Sequence, residues 1–204
     1  MSTDISADSN PQTSNQTDPA ELDAAVKIVE DYVVARLDEI QDRIKNGSRS
    51  IFDFADMAMI VSMLVVLVDP NNGEHEAQPY IDFVKDELVP KSETEMLAVA
   101  TAFYCLLRCG LLHNLSLHGN VRQNRMSDLN GYSIAVTHDA LMDGNWYEKN
   151  IRSKEIVFHV SELIGKIREA AEHCFKRDVV RNKIGAGEVS IIQSCSRQGG
   201  NHAD

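Results

Sequence analysis

Arg108 and His113 stand five positions apart near the end of an apolar stretch, Phe103 to His118, read FYCLLRCGLLHNLSLH. An arginine can grip a phosphate through two parallel hydrogen bonds and keeps its charge at every ordinary pH. A histidine can pass protons near neutrality. Together they could cut RNA without a metal: His113 as general acid or base, Arg108 steadying the pentacoordinate phosphate. The plainer reading is a helix end, where a basic side chain complements the dipole. On an α-helix five positions turn through about 140°, so the pair shares a face only where the winding loosens or the arginine reaches around.

Other residues nearby carry possible chemistry. Asn114, Ser116, His118 and Arg122 follow closely and could line the same cleft as phosphate or ribose contacts, or be ordinary loop residues. Arg122 and Arg125 flank Asn124 as a small basic lip. Cys105, Cys109 and His113 recur every four positions, and with Cys174 could hold zinc, although buried cysteine more often packs in a core. Asp53 and Asp56 read as acids complementing the positive end of a helix, or as metal carboxylates. Trp146 and Tyr147 beside Asn145 could stack a base, or plug a core. There is no phosphate-binding glycine loop, no zinc-protease helix and no nucleophile elbow.

The elements that must hold the pair read as helices. Asp18, Pro19 and Glu21 supply a cap, a first-turn proline and an early acid. Leu22, Val26, Val29, Val33, Leu37, Ile40 and Ile44 then follow at steps of three and four, and Asn46 with Gly47 stops the run. A second helix over 51–68 is apolar nearly all round and is expected to lie deepest. A short helix covers about 79–88. Ser92 and Glu95 cap a third long helix over about 93–113. A last helix is expected over 153–175, with Ile156, Val160, Leu163 and Ile167 in its stripe. Between them, in 114–150, the helical period disappears. Asn130–Gly131 signals a tight turn, and Tyr132, Ile134 and Val136 alternate with small polar neighbours, which predicts a hairpin. The expected fold is therefore mainly α: an up-and-down bundle of four long helices with a short extra helix and a small β-hairpin insert.

This setting resembles the HEPN family, the small all-helical domains of bacterial toxins and of eukaryotic and CRISPR-associated ribonucleases. Their signature is an arginine, a short gap and a histidine at the end of the third main helix, which here falls on Arg108 and His113. As architecture the likeness spans Asp18 to Arg177. It implies a metal-independent endoribonuclease, related to toxin–antitoxin systems or phage defence, with no cofactor. It also implies a homodimer packed about the third helix, whose two pairs share one RNA-cutting cleft, and an antitoxin or other protein as partner. Cys109 follows the arginine where family members often carry asparagine. That departure, and the acidic first half, suit the alternative: a non-catalytic HEPN-like module binding a protein or nucleotide.

Composition bounds these readings. The 204 residues carry a formal charge of −11 and are 43% hydrophobic. Such acidity argues against a general nucleic-acid binder. Residues 1–100 hold 20 acids and 7 bases, whereas 101–204 hold 11 acids and 13 bases, so the half with Arg108 better tolerates a phosphate backbone. Residues 1–17, almost devoid of apolar side chains, read as a disordered tail, 18–184 as the helical domain, and 185–204 as a mostly flexible tail in which 189–192 could dock. The longest apolar run, Met57 to Val68, is short for a membrane span. With no export signal and four irregularly spaced cysteines, a cytoplasmic setting is expected.

Overall fold

A computed structural model describes residues 18–69, 77–90, 96–108, 133–139, 145–150 and 152–186. The protein is mainly helical with one small sheet. Helix α1 spans Pro19–Lys45 and starts as its sequence demands: Asp18 accepts the Ala20 N–H at 2.9 Å and proline opens the first turn. Its end is a Schellman arrangement: Gly47 N–H donates to Ile44 O and Ser48 N–H to Arg43 O, both at 2.9 Å. Gly47 has a φ of +89°, a conformation glycine adopts without a Cβ penalty. Val26, Val29, Val33, Leu37 and Ile40 are buried, as the stripe requires.

Helix α2 spans Phe52–Val68 and α3 Ala77–Phe83, the latter running on as a wide π-helical turn, Val84–Leu88. Helix α4 covers Met96–Ala102 and likewise widens into a π-helical turn over Phe103–Arg108. Helix α5 covers Val160–Phe175 and α6 Asp178–Gly185. Helix α1 lies against α5 and α6, and α2 touches α5, α6 and the turn that ends at Arg108. One apolar core runs through all of these elements.

Helix α2 supplies much of that core through Phe54, Met57, Val61 and Leu64. It does not bury its whole circumference, however: Phe52 is 59%, Met59 57% and Val66 41% exposed. At its carboxyl end the buried Lys183 ammonium of α6 donates to Val66 O at 2.9 Å and to Asp69 O, serving carbonyls the helix leaves unpaired.

Two expectations need correction. The final helix begins at Val160. Residues Glu155–His159 form strand β3, with Ile156 and Phe158 turned into the core; Ile156 and Val160 suit a helical step, but the alternation of Ile156 and Phe158 obeys the strand period. The insert is also no simple hairpin. Strands β1 (Ser133–Thr137) and β2 (Tyr147–Asn150) flank β3 in the order β1-β3-β2. Strand β1 pairs with β3 in parallel, Thr137 opposite His159, and β2 antiparallel, Tyr147 opposite Phe158. Helix α6 had no counterpart in the sequence reading; Val180 and Ile184 anchor it in the core. The N-terminal tail 1–17, the Ser92–Glu95 cap, the Asn130–Gly131 turn and the docking segment 189–192 lie outside the described residues.

Candidate functional site

Arg108 is the last described residue of the helical run that starts at Met96. Leading into it, Val99, Ala100, Ala102 and Phe103 are buried. Phe103 meets Trp146 and Phe158 edge-on, with ring centroids 5.6 and 5.7 Å apart. Phe103 is thus fixed by aromatic packing from strand β3 and from the residue just before β2. The last turn before the motif is π-wound, with i→i+5 hydrogen bonds in place of i→i+4. His113, Asn114, Ser116, His118 and Arg122 lie outside the described residues, as do Cys109, Asn124 and Arg125.

Trp146 is a core plug rather than a base platform. It is fully buried, stacks on Phe158 at 5.5 Å, and its Nε1–H donates to Leu88 O at 2.8 Å. Cys174 is buried as well, and burial pushes its thiol up to about 12, which opposes the thiolate a metal would need. Among the described residues no three histidine, cysteine or acidic side chains converge to hold a metal.

The structure does bring together a set of charged groups that sequence reading did not link. Arg43, on the last turn of α1, donates Nε to Asp53 Oδ1 at 2.9 Å and Nη2 to Asp56 Oδ2 at 2.7 Å. Ser48 Oγ donates to Asp53 Oδ2 at 3.1 Å. Burial lowers the Arg43 pKa, but the two carboxylates more than offset it and the guanidinium is held above its ordinary value. Asp53 is 1% exposed, so its charge depends on these donors. The two acids do stand in the first turn of α2, where the helix dipole favours them. The missed signal was Arg43, ten residues upstream across the Gly47 turn.

From the sheet side, His138 follows β1 and meets Phe54 edge-on at 6.0 Å. Its Nε2 lies 3.6 Å from Asp53 Oδ2, beyond hydrogen-bond reach, and is buried without a partner. Next to it, His159 at the end of β3 places Nδ1 2.9 Å from Asp139 O. Over these groups opens a cavity of about 340 Å³, lined by Arg49, Ile51, Val136, Thr137, His138 and Asp139. It has room for a small ligand and mixes one cation, one anion, a hydroxyl and two apolar walls. Compared with known proteins, the chain matches no family model, no curated protein and no solved structure.

Proposed function

We propose that the chain is a HEPN-like helical module that cuts RNA without metal, as a homodimer, at a composite cleft built from Arg108 and His113 of two copies. In this reading α1, α2, the α4 run and α5 are the four long members of an up-and-down bundle. Asn114, Ser116, His118 and Arg122 line the cleft. A toxin or phage-defence role, with an antitoxin as protein partner, follows from the same resemblance.

The observation that carries the reading is the winding at the end of the α4 run. Arg108 ends a π-helical turn whose Phe103 is buried. In this reading the same winding continues past Arg108, which at roughly 4.4 residues per turn would bring positions five apart to within about 50° of one face, against about 140° on an α-helix. Wide turns of this kind recur at functional sites. The charge balance of +2 over 101–204 adds support, since a phosphate approaches that half without the acid excess of the first.

The test is cleavage of single-stranded RNA by purified protein in EDTA. Cutting is expected, and His113→Ala and Arg108→Ala should each remove it. Intact RNA under these conditions would overturn the proposal.

The acid distribution favours a second reading, a non-catalytic module for a protein partner or nucleotide. Glu21, Asp23, Asp31, Asp38, Glu39 and Asp42 all lie exposed along α1, a face suited to a basic partner. Under this reading RNA stays whole while a basic protein co-purifies, and reversing charges on α1 releases it.

A further inference from the structure

The exposed face of α2 is built as a seam. Phe52, Met59 and Val66 recur every seven residues and are 59%, 57% and 41% exposed. Ala55 and Ser62 lie between them, and Met63 beside them, all half-buried. On a helical wheel these residues span about 100°, the width of an apolar packing stripe. From Met57 to Val68 the helix carries no charge on any face. The opposite face packs in the core, Ala55 and Met63 lean against it at the edge, and Phe52, Met59 and Val66 are left largely exposed.

We propose that this seam binds a second copy of the same chain, α2 against α2 in antiparallel two-fold packing. Three features select that occupant. The stripe is self-complementary: about a two-fold axis at Met59, Phe52 of one copy lies opposite Val66 of its partner, and the small Ala55 and Ser62 offer the holes that large side chains fill. Charge points the same way. Two chains of −11 repel overall, and this is a face where they can meet without bringing acids together; Asp56, at its rim, is held by Arg43. Area sets the strength. Ordinary side-chain areas give roughly 400 Å² of stripe per copy, so about 800 Å² in all, below the roughly 1,000 Å² that a stable specific interface clears and in the range of weak, transient contacts. The dimer is therefore a weak one, dissociating in the micromolar range. The steps of seven residues give the pair a slight left-handed coil.

This contact is distinct from the one in the proposed nuclease, which joins copies about the end of the α4 run. Sedimentation velocity over a concentration series tests it. The wild-type chain should show a concentration-dependent association that Met59→Glu loses, its thermal melt little changed, so that any association left in Met59→Glu belongs to the α4-end contact. Met59→Leu should keep the dimer. Independently, Met59→Cys should give a covalent dimer under mild oxidation, beyond any seen with the wild type, because residue 59 faces itself across the axis. A wild-type chain that is monomeric throughout overturns the seam. So does an association equally strong in wild type, Met59→Glu and Phe52→Glu, an outcome that leaves the α4-end contact of the nuclease reading standing. Loss of RNA cutting in Arg108→Ala with the dimer intact bears on the nuclease alone.

Discussion

Arg43 Nε donates to Asp53 Oδ1 at 2.9 Å across the turn that joins the two longest helices. The acceptor is buried, whereas the donor keeps 40% of its side chain in water. Removing the donor therefore costs more than the bond itself, because among the described residues the buried carboxylate keeps the Ser48 hydroxyl as its side-chain hydrogen-bond donor, with His138 Nε2 no nearer than 3.6 Å. Arg43→Ala is expected to destabilise the fold by about 2–3 kcal/mol in urea denaturation. In Arg43→Ala/Asp53→Asn the loss should be smaller than the sum of the two single changes. Additive losses would show that the pair is not coupled.

A longer-range bond joins the indole of Trp146 to the carbonyl of Leu88. Trp146→Phe keeps most of the aromatic volume but strands that carbonyl. It should cost about 1–2 kcal/mol, and Trp146→Ala about 3–5 kcal/mol through the cavity left beside Phe103 and Phe158. Equal losses in the two variants would assign the stability to the hydrogen bond and none to packing.

Alkaline pH should expose the burial of Cys174. The unfolded thiol titrates near 9.0 and the folded one near about 12. Between those values the unfolded chain has released a proton that the folded chain retains, so stability falls as pH rises; below about 9 the contribution is fully present. The slope from this group is about 1.4 kcal/mol per pH unit. Comparing Cys174→Val with wild type in urea at pH 8 and pH 10 isolates it from the lysines. The variant should lose less stability over that interval, and parallel losses would refute the assignment.

Gly47→Ala should destabilise by about 1 kcal/mol, since its φ of +89° opposes any Cβ. Nothing lies within 4 Å of the added methyl, so the cost is conformational rather than steric. An unchanged melting temperature would mean that the α1–α2 turn relaxes freely.

Local signals made some of this architecture readable in the chain. Asp18, Pro19 and the Asn46–Gly47 stop bracket α1, because capping and left-handed turns depend on neighbours in sequence. The alternation at Ile134 and Val136 marked a strand for the same reason. The parallel partnership of β1 with β3 had no local signature: its register depends on two segments some twenty residues apart. Glu155–His159 was misread because Ile156 fits both periods, and only the tertiary placement of Phe158 against Phe103 and Trp146 decides between them. Arg108 is legible as a residue near the end of an apolar helix, which the sequence carries on to about His113, beyond the described residues. The Arg43–Asp53–His138 grouping was not, since it joins a helix end, a helix start and a strand end that are adjacent only after folding.

Lys183 reaches from the last described helix to the carbonyls of Val66 and Asp69. That makes the final helix a stopper for the most apolar helix of the molecule. A chain ending before residue 183 would leave the carboxyl end of α2 unplugged and its oily flank newly wetted. Such truncation should make the chain more prone to clumping, although no residue of the core stripe on α1 had been touched.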